Sequence, residues 1–295
     1  MVISLDTTRA DALSCYGAPP VGFHDGAPGT PRTPVLDGLA ARGLRFARFY
    51  AESPSTLASH ATLFTGADPH RTGVVRNGFP LGPSLPTLAE RLAAQGYATR
   101  AVIGAAALSA DQGVARGFQV YDDASPSLRG LMYQTPAPEV VERALALTSA
   151  DAPLFLFVHF FDAHAPYEPP SPWAERFRPP GYDGPFLDPE AKVRPLVGAP
   201  PSADQQAVDG RYLAEVSALD HQVGVLLQGL KERGVLDDAL VVVLGDHGEA
   251  LSDDPIYAWT HGNDVSDGVM QVPLLLEAHG SVVLRRGVVE STAGM

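Results

Sequence analysis

The chain has 295 residues, enough for one large α/β domain or two small ones. Its 45% hydrophobic and 19% charged residues are ordinary for a globular protein. The formal net charge of −13 argues against a nucleic-acid backbone as partner, although not against an anionic substrate, because a metal ion reverses the local field.

A single cysteine, Cys15, excludes an intrachain disulfide, and no run of about eighteen apolar residues is present to span a membrane. Residues 1–5 read as a buried strand ending in Asp6-Thr7-Thr8-Arg9-Ala10-Asp11. Polar groups past the C-terminal end of such a strand are the usual place for a site in an open α/β sheet, and Asp6 also suits a helix cap. A strand this early leaves no signal peptide, and residues 288–295 stop without a closing element. The chain is thus expected to be a fragment or an abbreviated gene product at one or both ends, cytoplasmic as it stands and otherwise of undetermined location.

Residues 18–34 are rich in Pro and Gly and read as a loop. Thr33-Pro34 opens a helix with Val35, Leu36, Leu39 and Leu44 at helical spacing, and residues 45–50 form a short strand. A helix over 85–95, stopped by Gly96, precedes a strand over 97–103. A helix over 137–147 and a buried strand over 154–159 lead into Phe161-Asp162-Ala163-His164-Ala165-Pro166-Tyr167. Residues 168–202 are dense in proline and read as a lid or substrate-facing loop. The longest helix is predicted over 209–233, ended by Gly234. A strand over 240–244 delivers Gly245-Asp246-His247-Gly248-Glu249, His261-Gly262 follows, and 272–276 is a last buried strand. This alternation predicts an α/β fold, a doubly wound, largely parallel sheet with helices on both faces.

Residues 53–66, Ser53-Pro54-Ser55-Thr56-Leu57-Ala58-Ser59-His60-Ala61-Thr62-Leu63-Phe64-Thr65-Gly66, concentrate hydroxyls around one histidine. Hydroxyls are weak nucleophiles unless a base or metal activates them, and Ser or Thr here also suits a helix N-cap. Asp6, Thr56, Asp162 with His164, Asp246-His247 and His261 all fall at strand ends or just beyond. Carboxylates with imidazoles suit a divalent cation, which would lower the pKa of the Thr56 hydroxyl. Each residue alone is weak; the joint pattern carries the reading.

Taken together these blocks resemble the sulfatase family of the alkaline phosphatase superfamily. The resemblance runs through Ile3–Leu13, Thr33–Ala40, Thr56–Gly66 with Pro69-His70-Arg71-Thr72-Gly73-Val74, Arg116-Gly117-Phe118, His164–Tyr167, Gly245–Glu249, His261-Gly262 and Val272-Pro273-Leu274. It implies an alkaline-phosphatase-like catalytic domain over 1–280, with 281–295 the start of a small C-terminal subdomain largely missing from this chain. It also implies one metal held by Asp6, Thr56, Asp246 and His247. The family's formylglycine motif is Cys or Ser, any residue, Pro, any residue, Arg; here Thr56, Ala58 and His60 stand in those places. Threonine cannot become formylglycine, so Thr56 is expected to act as a plain alkoxide nucleophile. Thr7 replaces a second Asp, and the lysine that often follows the 97–103 strand is absent. His247 replaces an Asn, which favours Mn²⁺ or Zn²⁺ over Ca²⁺ or Mg²⁺.

The implied mechanism is attack by Thr56 on a small anionic phosphate or sulfate ester, forming a covalent Thr ester, with phosphorus preferred. His164 or His261 protonates the leaving alcohol or binds the equatorial oxygens, and His60, one turn from Thr56, contacts the anion. Water completes a hydrolase and another alcohol a transferase. A second metal on Asp162, His164 and His261 is a further expectation. The alternatives are a sulfuric ester hydrolase without formylglycine and an inactive anion-binding relative.

Overall fold

The computed structural model describes residues 1–17, 32–124, 127–129, 132–148, 153–188, 202–254, 256–284 and 287–290. Most of the 18–34 loop, the 189–201 part of the proline-rich stretch with Pro200-Pro201, and the last five residues lie outside them. In chain order the elements are β1 (Val2–Leu5), α1 (Pro34–Arg42), β2 (Leu44–Phe46), α2 (Thr56–Thr65), α3 (Pro69–Thr72), α4 (Leu88–Ala94), β3 (Ala98–Ile103) and β4 (Val120–Asp122). They continue with β5 (Ser127–Arg129), β6 (Met132–Gln134), α5 (Ala137–Ala146), β7 (Leu154–Phe160), α6 (Trp173–Arg176), α7 (Ala203–Glu232), β8 (Leu240–Gly245), α8 (Asp267–Met270), β9 (Leu274–Ala278) and β10 (Gly287–Val289).

Eight strands form one sheet in the order β10-β2-β9-β8-β1-β7-β3-β4, and β5 pairs with β6 separately. Only β9 runs antiparallel to its neighbours β8 and β2, so the sheet is mostly parallel, as its alternation with helices requires. The two faces are covered differently. Ile3, Leu5, Val158, Phe160, Val241 and Val243 pack with α1, α5 and α7. Phe155, Phe157, Ala101 and Ile103 pack with Leu57, Ala58, Ala61 and Phe64 of α2 and Ala89 of α4. Each buried Leu or Phe contributes about 1.5–3 kcal/mol, which is what anchors the hydroxyl-rich α2 to the sheet.

Strand alternation then assigns the polar ends. Leu5 registers with Phe160 on one side and Gly245 on the other, so β1, β7 and β8 finish level. Ser4 lies across from His159. The period of two puts Ser4, Asp6, His159 and Asp246 on the α2 side of the sheet.

Differences from the sequence reading are local. The longest helix starts six residues earlier than predicted, because Ser202 and Gln205 form a capping box: the Ser202 hydroxyl accepts from the Gln205 N–H, and the Gln205 side chain accepts from the Ser202 N–H. The last buried strand sits at Leu274–Ala278 rather than 272–276 and runs antiparallel, beginning just past Pro273. The strand expected over 45–50 ends at Phe46, with Tyr50 making only an isolated bridge to Gln271. No helix of the described residues is long and apolar enough to cross a membrane.

Asp220, on α7, shows how the helices are joined. Its carboxylate is buried and accepts from the free N–H groups of Val35 (3.1 Å) and Leu36 (2.8 Å) at the start of α1. Burial pushes its carboxyl up to about 7, against the pull of those two donors. The unfolded carboxyl titrates near 3.8, so the folded state holds a proton that the unfolded state releases between those values. Stability contributed by this group therefore falls as pH rises through that window. Asp220→Asn removes the titration, and the loss of melting temperature between pH 5 and pH 8 is expected to shrink by the equivalent of on the order of 3 kcal/mol. Thermal denaturation at both pH values checks it; an unchanged difference between them refutes it.

Candidate active site

Asp6 and Asp246 stand one residue past the level ends of β1 and β8, wholly buried. Asp6 Oδ2 accepts from His159 Nε2 at 3.1 Å, and Asp246 Oδ1 accepts from the N–H groups of Thr7 (3.2 Å) and His247 (2.7 Å). The other oxygen of each, Asp6 Oδ1 and Asp246 Oδ2, has no hydrogen-bond partner. Both face His247 Nε2, at 3.9 and 3.6 Å. His247 Nδ1 donates to the Gly248 carbonyl at 3.0 Å, which leaves Nε2 without a proton, with its lone pair on the side of the two carboxylates and Thr56. Burial holds the His247 pKa down at about 3, so the ring is neutral, the form in which imidazole ligates a metal.

The glycines flanking this pair are required by close packing. A Cβ on Gly248 would lie 2.1 Å from the Gly268 carbonyl oxygen, and one on Gly245 2.7 Å from that of Thr8.

Thr56 opens α2, with Ser55 in the extended N-cap conformation. Its Oγ1 is 3.3 Å from His247 Nε2 and donates to it. The positive end of the helix thus points at the hydroxyl, where it favours an anion. Asn77 completes this helix start: its Oδ1 accepts from the Leu57 N–H (2.8 Å) and the Ser55 hydroxyl (2.9 Å). Ser59, one turn further, donates to the Asp246 carbonyl at 2.7 Å and ties α2 to the end of β8.

His60 does not occupy the place expected of an anion contact. It is fully buried beneath Thr56, its Nδ1 donates to the Thr56 carbonyl at 2.7 Å, and the Ser4 hydroxyl donates to its Nε2 at 2.9 Å. Burial lowers its pKa to about 3. Both nitrogens are used inside the fold, so His60 braces the helix that carries Thr56. His159, edge-on to His60 at 5.0 Å between ring centroids, braces Asp6.

On the other side, His261 lies 4.5 Å from His247 between ring centroids, and His164 lies 4.8 Å from His261. His261 Nδ1 donates to the buried Glu249 Oε1 at 2.9 Å, and Tyr167 donates to Glu249 Oε2 at 3.0 Å. Burial works against the charged ring, but the bond to Glu249 and its charge raise the His261 pKa overall. His164 differs: its Nδ1 donates to the Ala165 carbonyl, it stacks on Phe161 at 4.2 Å, and burial lowers its pKa.

Asp6, Thr56, Asp246 and His247 are therefore brought together, with His261 and His164 beside them. Among the described residues two groups of three ligand atoms lie within 4.8 Å of one another: Asp6, Asp246 and His247, and His60, His159 and Asp246. The first fits a divalent cation, because two buried carboxylate oxygens without donors and one imidazole lone pair converge there. In the second, both nitrogens of His60 are already engaged. The expected second set of Asp162, His164 and His261 is in neither group. Asp162 instead caps α5, accepting from the Ala137 N–H at 2.9 Å.

Three residues of the site escaped the sequence reading. His159 is marked only by strand parity with Phe157. Glu249 was in view within Gly245–Glu249 but without a partner until His261 folds back on it. Asn77 carries no local signal, since its role depends on a loop returning to the start of α2.

Comparison with known proteins places the same residues in a family. The model described as Sulfatase matches residues 1–282. N-sulphoglucosamine sulphohydrolase of Homo sapiens is 28% identical over 248 residues, covering 77% of this chain and 48% of the relative. Choline-sulfatase of Rhizobium meliloti (strain 1021) is 26% identical over 316 residues, covering 88% of this chain and 60% of the relative. The chain thus spans about half the length of these relatives. The crystal structure of the phosphonate monoester hydrolase of Agrobacterium radiobacter superposes with a TM-score of 0.68 at 22% identity, over 98% of this chain and 70% of that one. With the family match running through every element that builds the site, the chain belongs to the sulfatase family and has the fold of the alkaline phosphatase superfamily.

Proposed function

We propose that the chain is a metal-dependent hydrolase or transferase that cleaves a small anionic phosphate or sulfate ester through Thr56, with phosphoesters preferred. The observation that carries this reading is the meeting of Thr56 Oγ1, His247 Nε2 and the donorless oxygens of Asp6 and Asp246 at the start of α2. Asp6, Asp246, His247 and Thr56 would hold one cation, for which the imidazole favours Mn²⁺ or Zn²⁺. A divalent cation there supplies the positive charge that offsets the carboxylates and lowers the pKa of a neighbouring hydroxyl.

Thr56 Oγ, its proton released to solvent before turnover, forms a bond to phosphorus or sulfur as the bond to the leaving alcohol oxygen breaks. His261, held towards its protonated form by Glu249, gives that oxygen its proton. His164, with its Nδ1 committed to Ala165 and its charge disfavoured by burial, is the weaker acid of the two. The Asn77 oxygen is spent on α2, so its amide NH₂ is the group left to bind a non-bridging oxygen. Water then attacks, Thr56 Oγ leaves, and His261 takes the water's proton. The sulfuric ester alternative is favoured by the relatives' names, N-sulphoglucosamine sulphohydrolase and choline-sulfatase. Retention of Asp6, Thr56, Asp246 and His247 in one cluster speaks against an inactive relative.

Three measurements test this. Thr56→Ala is expected to lower kcat/KM by about 10³-fold or more on whichever of 4-nitrophenyl phosphate, phosphodiester, phosphonate or sulfate is turned over. Retained activity removes the nucleophile assignment, and preference for the sulfate overturns the choice of phosphorus. Asp246→Asn is expected to weaken Mn²⁺ or Zn²⁺ binding, read by titration calorimetry, by at least the ~10–100-fold that disturbing a metal site's surroundings costs. Equal affinity in the variant places the metal elsewhere. His261→Ala is expected to lower kcat by about 10²-fold or more on an alkyl or phenyl ester but far less on the 4-nitrophenyl ester, whose leaving group needs no proton. Equal losses on both esters rule out the acid role.

A further inference from the structure

The segment between Glu249 and His261 is held from two directions. Arg9 donates to Asp253 through Nη1 (3.1 Å) and Nη2 (2.7 Å) and to the Glu249 carbonyl at 3.1 Å. The same segment is held by Asp209, a buried residue of α7 that has no part in the chemistry proposed above. Its Oδ1 accepts from the Ser252 N–H at 3.2 Å and from Trp259 Nε1 at 2.9 Å, and its Oδ2 accepts from the Ser252 hydroxyl. Among the described residues no Lys or Arg pairs with it. A carboxylate in such a position is costly unless its donors are fixed in place, so the three donors and the acid hold one another. Trp259 needs that hold. Its φ is +59°, a left-handed conformation that a bulky residue adopts only when its surroundings impose it. Its N–H donates to the Ala250 carbonyl, and the Ala250 N–H donates to the Thr260 carbonyl at 3.0 Å, so the segment closes on itself one residue before His261.

We infer that Asp209 is a positioning residue for the reaction: by clamping Ser252 and Trp259 it fixes the segment that presents His261 to Glu249 and to the Thr56 cluster. This rests on the reading of His261 as the acid. Loss of the clamp displaces a reacting group rather than the substrate's binding contacts, so it is expected to act on kcat and not on KM.

The experiment is a double-mutant cycle on the full chain, using the aryl or alkyl ester turned over by the wild type whose rate depends on His261. Asp209→Ala is expected to lower kcat by about 10–100-fold with KM nearly unchanged. In the His261→Ala background the same change is expected to cost no more than about twofold. Asp209→Asn, which keeps an acceptor for Trp259 Nε1, is expected to recover most of the rate. Should Asp209→Ala not fold, Trp259→Phe removes only the indole donor and is expected to lower kcat in the same sense and by less.

A second readout needs no turnover. The chain has two tryptophans, so Trp173→Phe leaves Trp259 as the only emitter. Acrylamide quenching of Trp259, 9% exposed in the fold, is expected to rise in Asp209→Ala and not in Asp209→Asn. Full additivity of the two kcat losses, or unchanged quenching in Asp209→Ala, overturns the inference while leaving the acid assignment standing. If His261→Ala has no effect on any ester, the acid assignment falls and this inference falls with it.

Discussion

Two carboxylates buried side by side, each with an oxygen that receives no donor, are the constraint on which the site depends. Like charges at such distances in a water-poor interior cannot both persist without a counter-charge. The protein's own groups solve only half of this. Burial alone would raise the Asp6 carboxyl, but the His159 hydrogen bond holds it well below the usual carboxylate range. Asp246 is pushed the other way, by burial and by the charge on Asp6. His247 is neutral and supplies a lone pair rather than a charge. A divalent cation would resolve this arrangement, which would be a poor core without one.

The scaffold delivers the pair through parallel strands whose register leaves no freedom. Since Leu5, Phe160 and Gly245 lie level, the first residue beyond β1 and the first beyond β8 must be neighbours. The turn after β1 is kept tight at a cost. Thr7 adopts φ +49°, worth about 1–2 kcal/mol for a residue with a Cβ, and Tyr212 of α7 braces it by donating to its carbonyl at 2.9 Å while accepting from the Arg9 N–H at 3.0 Å. On the α2 side, Ser4, His60, Ser59 and Asn77 form the corresponding support beneath Thr56. The residues proposed to hold a metal thus sit between two sets of polar braces, one on the α2 side and one from α7.

The strand-helix alternation was readable because both periodicities are strong, and the site residues at strand ends followed from it. Asp6, Asp246 and His247 need only their own strands to be placed. Thr56 needed the resemblance to select it among neighbouring hydroxyls, and it is the one that lies against His247. His60 shows where such reading stops: one helical turn from Thr56 fixes a face of α2, but that face turns inward to Ser4 and His159, a fact set by packing across 56 residues of sequence. Asp162 is similar. Asp162, His164 and His261 follow one another in the chain order of a second metal set, yet the need that Asp162 meets in three dimensions is the free N-terminus of α5. Glu249 gains its role only through a twelve-residue return of the chain to His261.

The two-step chemistry proposed for Thr56 makes the outcome depend on the His261 side more than on the nucleophile. By microscopic reversibility the group that gives a proton to the departing alcohol must take one from whatever attacks next. The acceptor therefore enters where the first alcohol left. That side is walled by His164 stacked on Phe161 and by the Glu249-held ring of His261, whose side chain is 18% exposed. The segment around it also leaves Ile256 and Val265 exposed. On the same reading Thr56, hydrogen-bonded to His247, has nothing that distinguishes water from an alcohol as the second nucleophile. On the proposed two-step reading, the choice between hydrolysis and transfer then turns on the surroundings of His261, including Ser252, Asp253 and Trp259, which Arg9 and Asp209 hold.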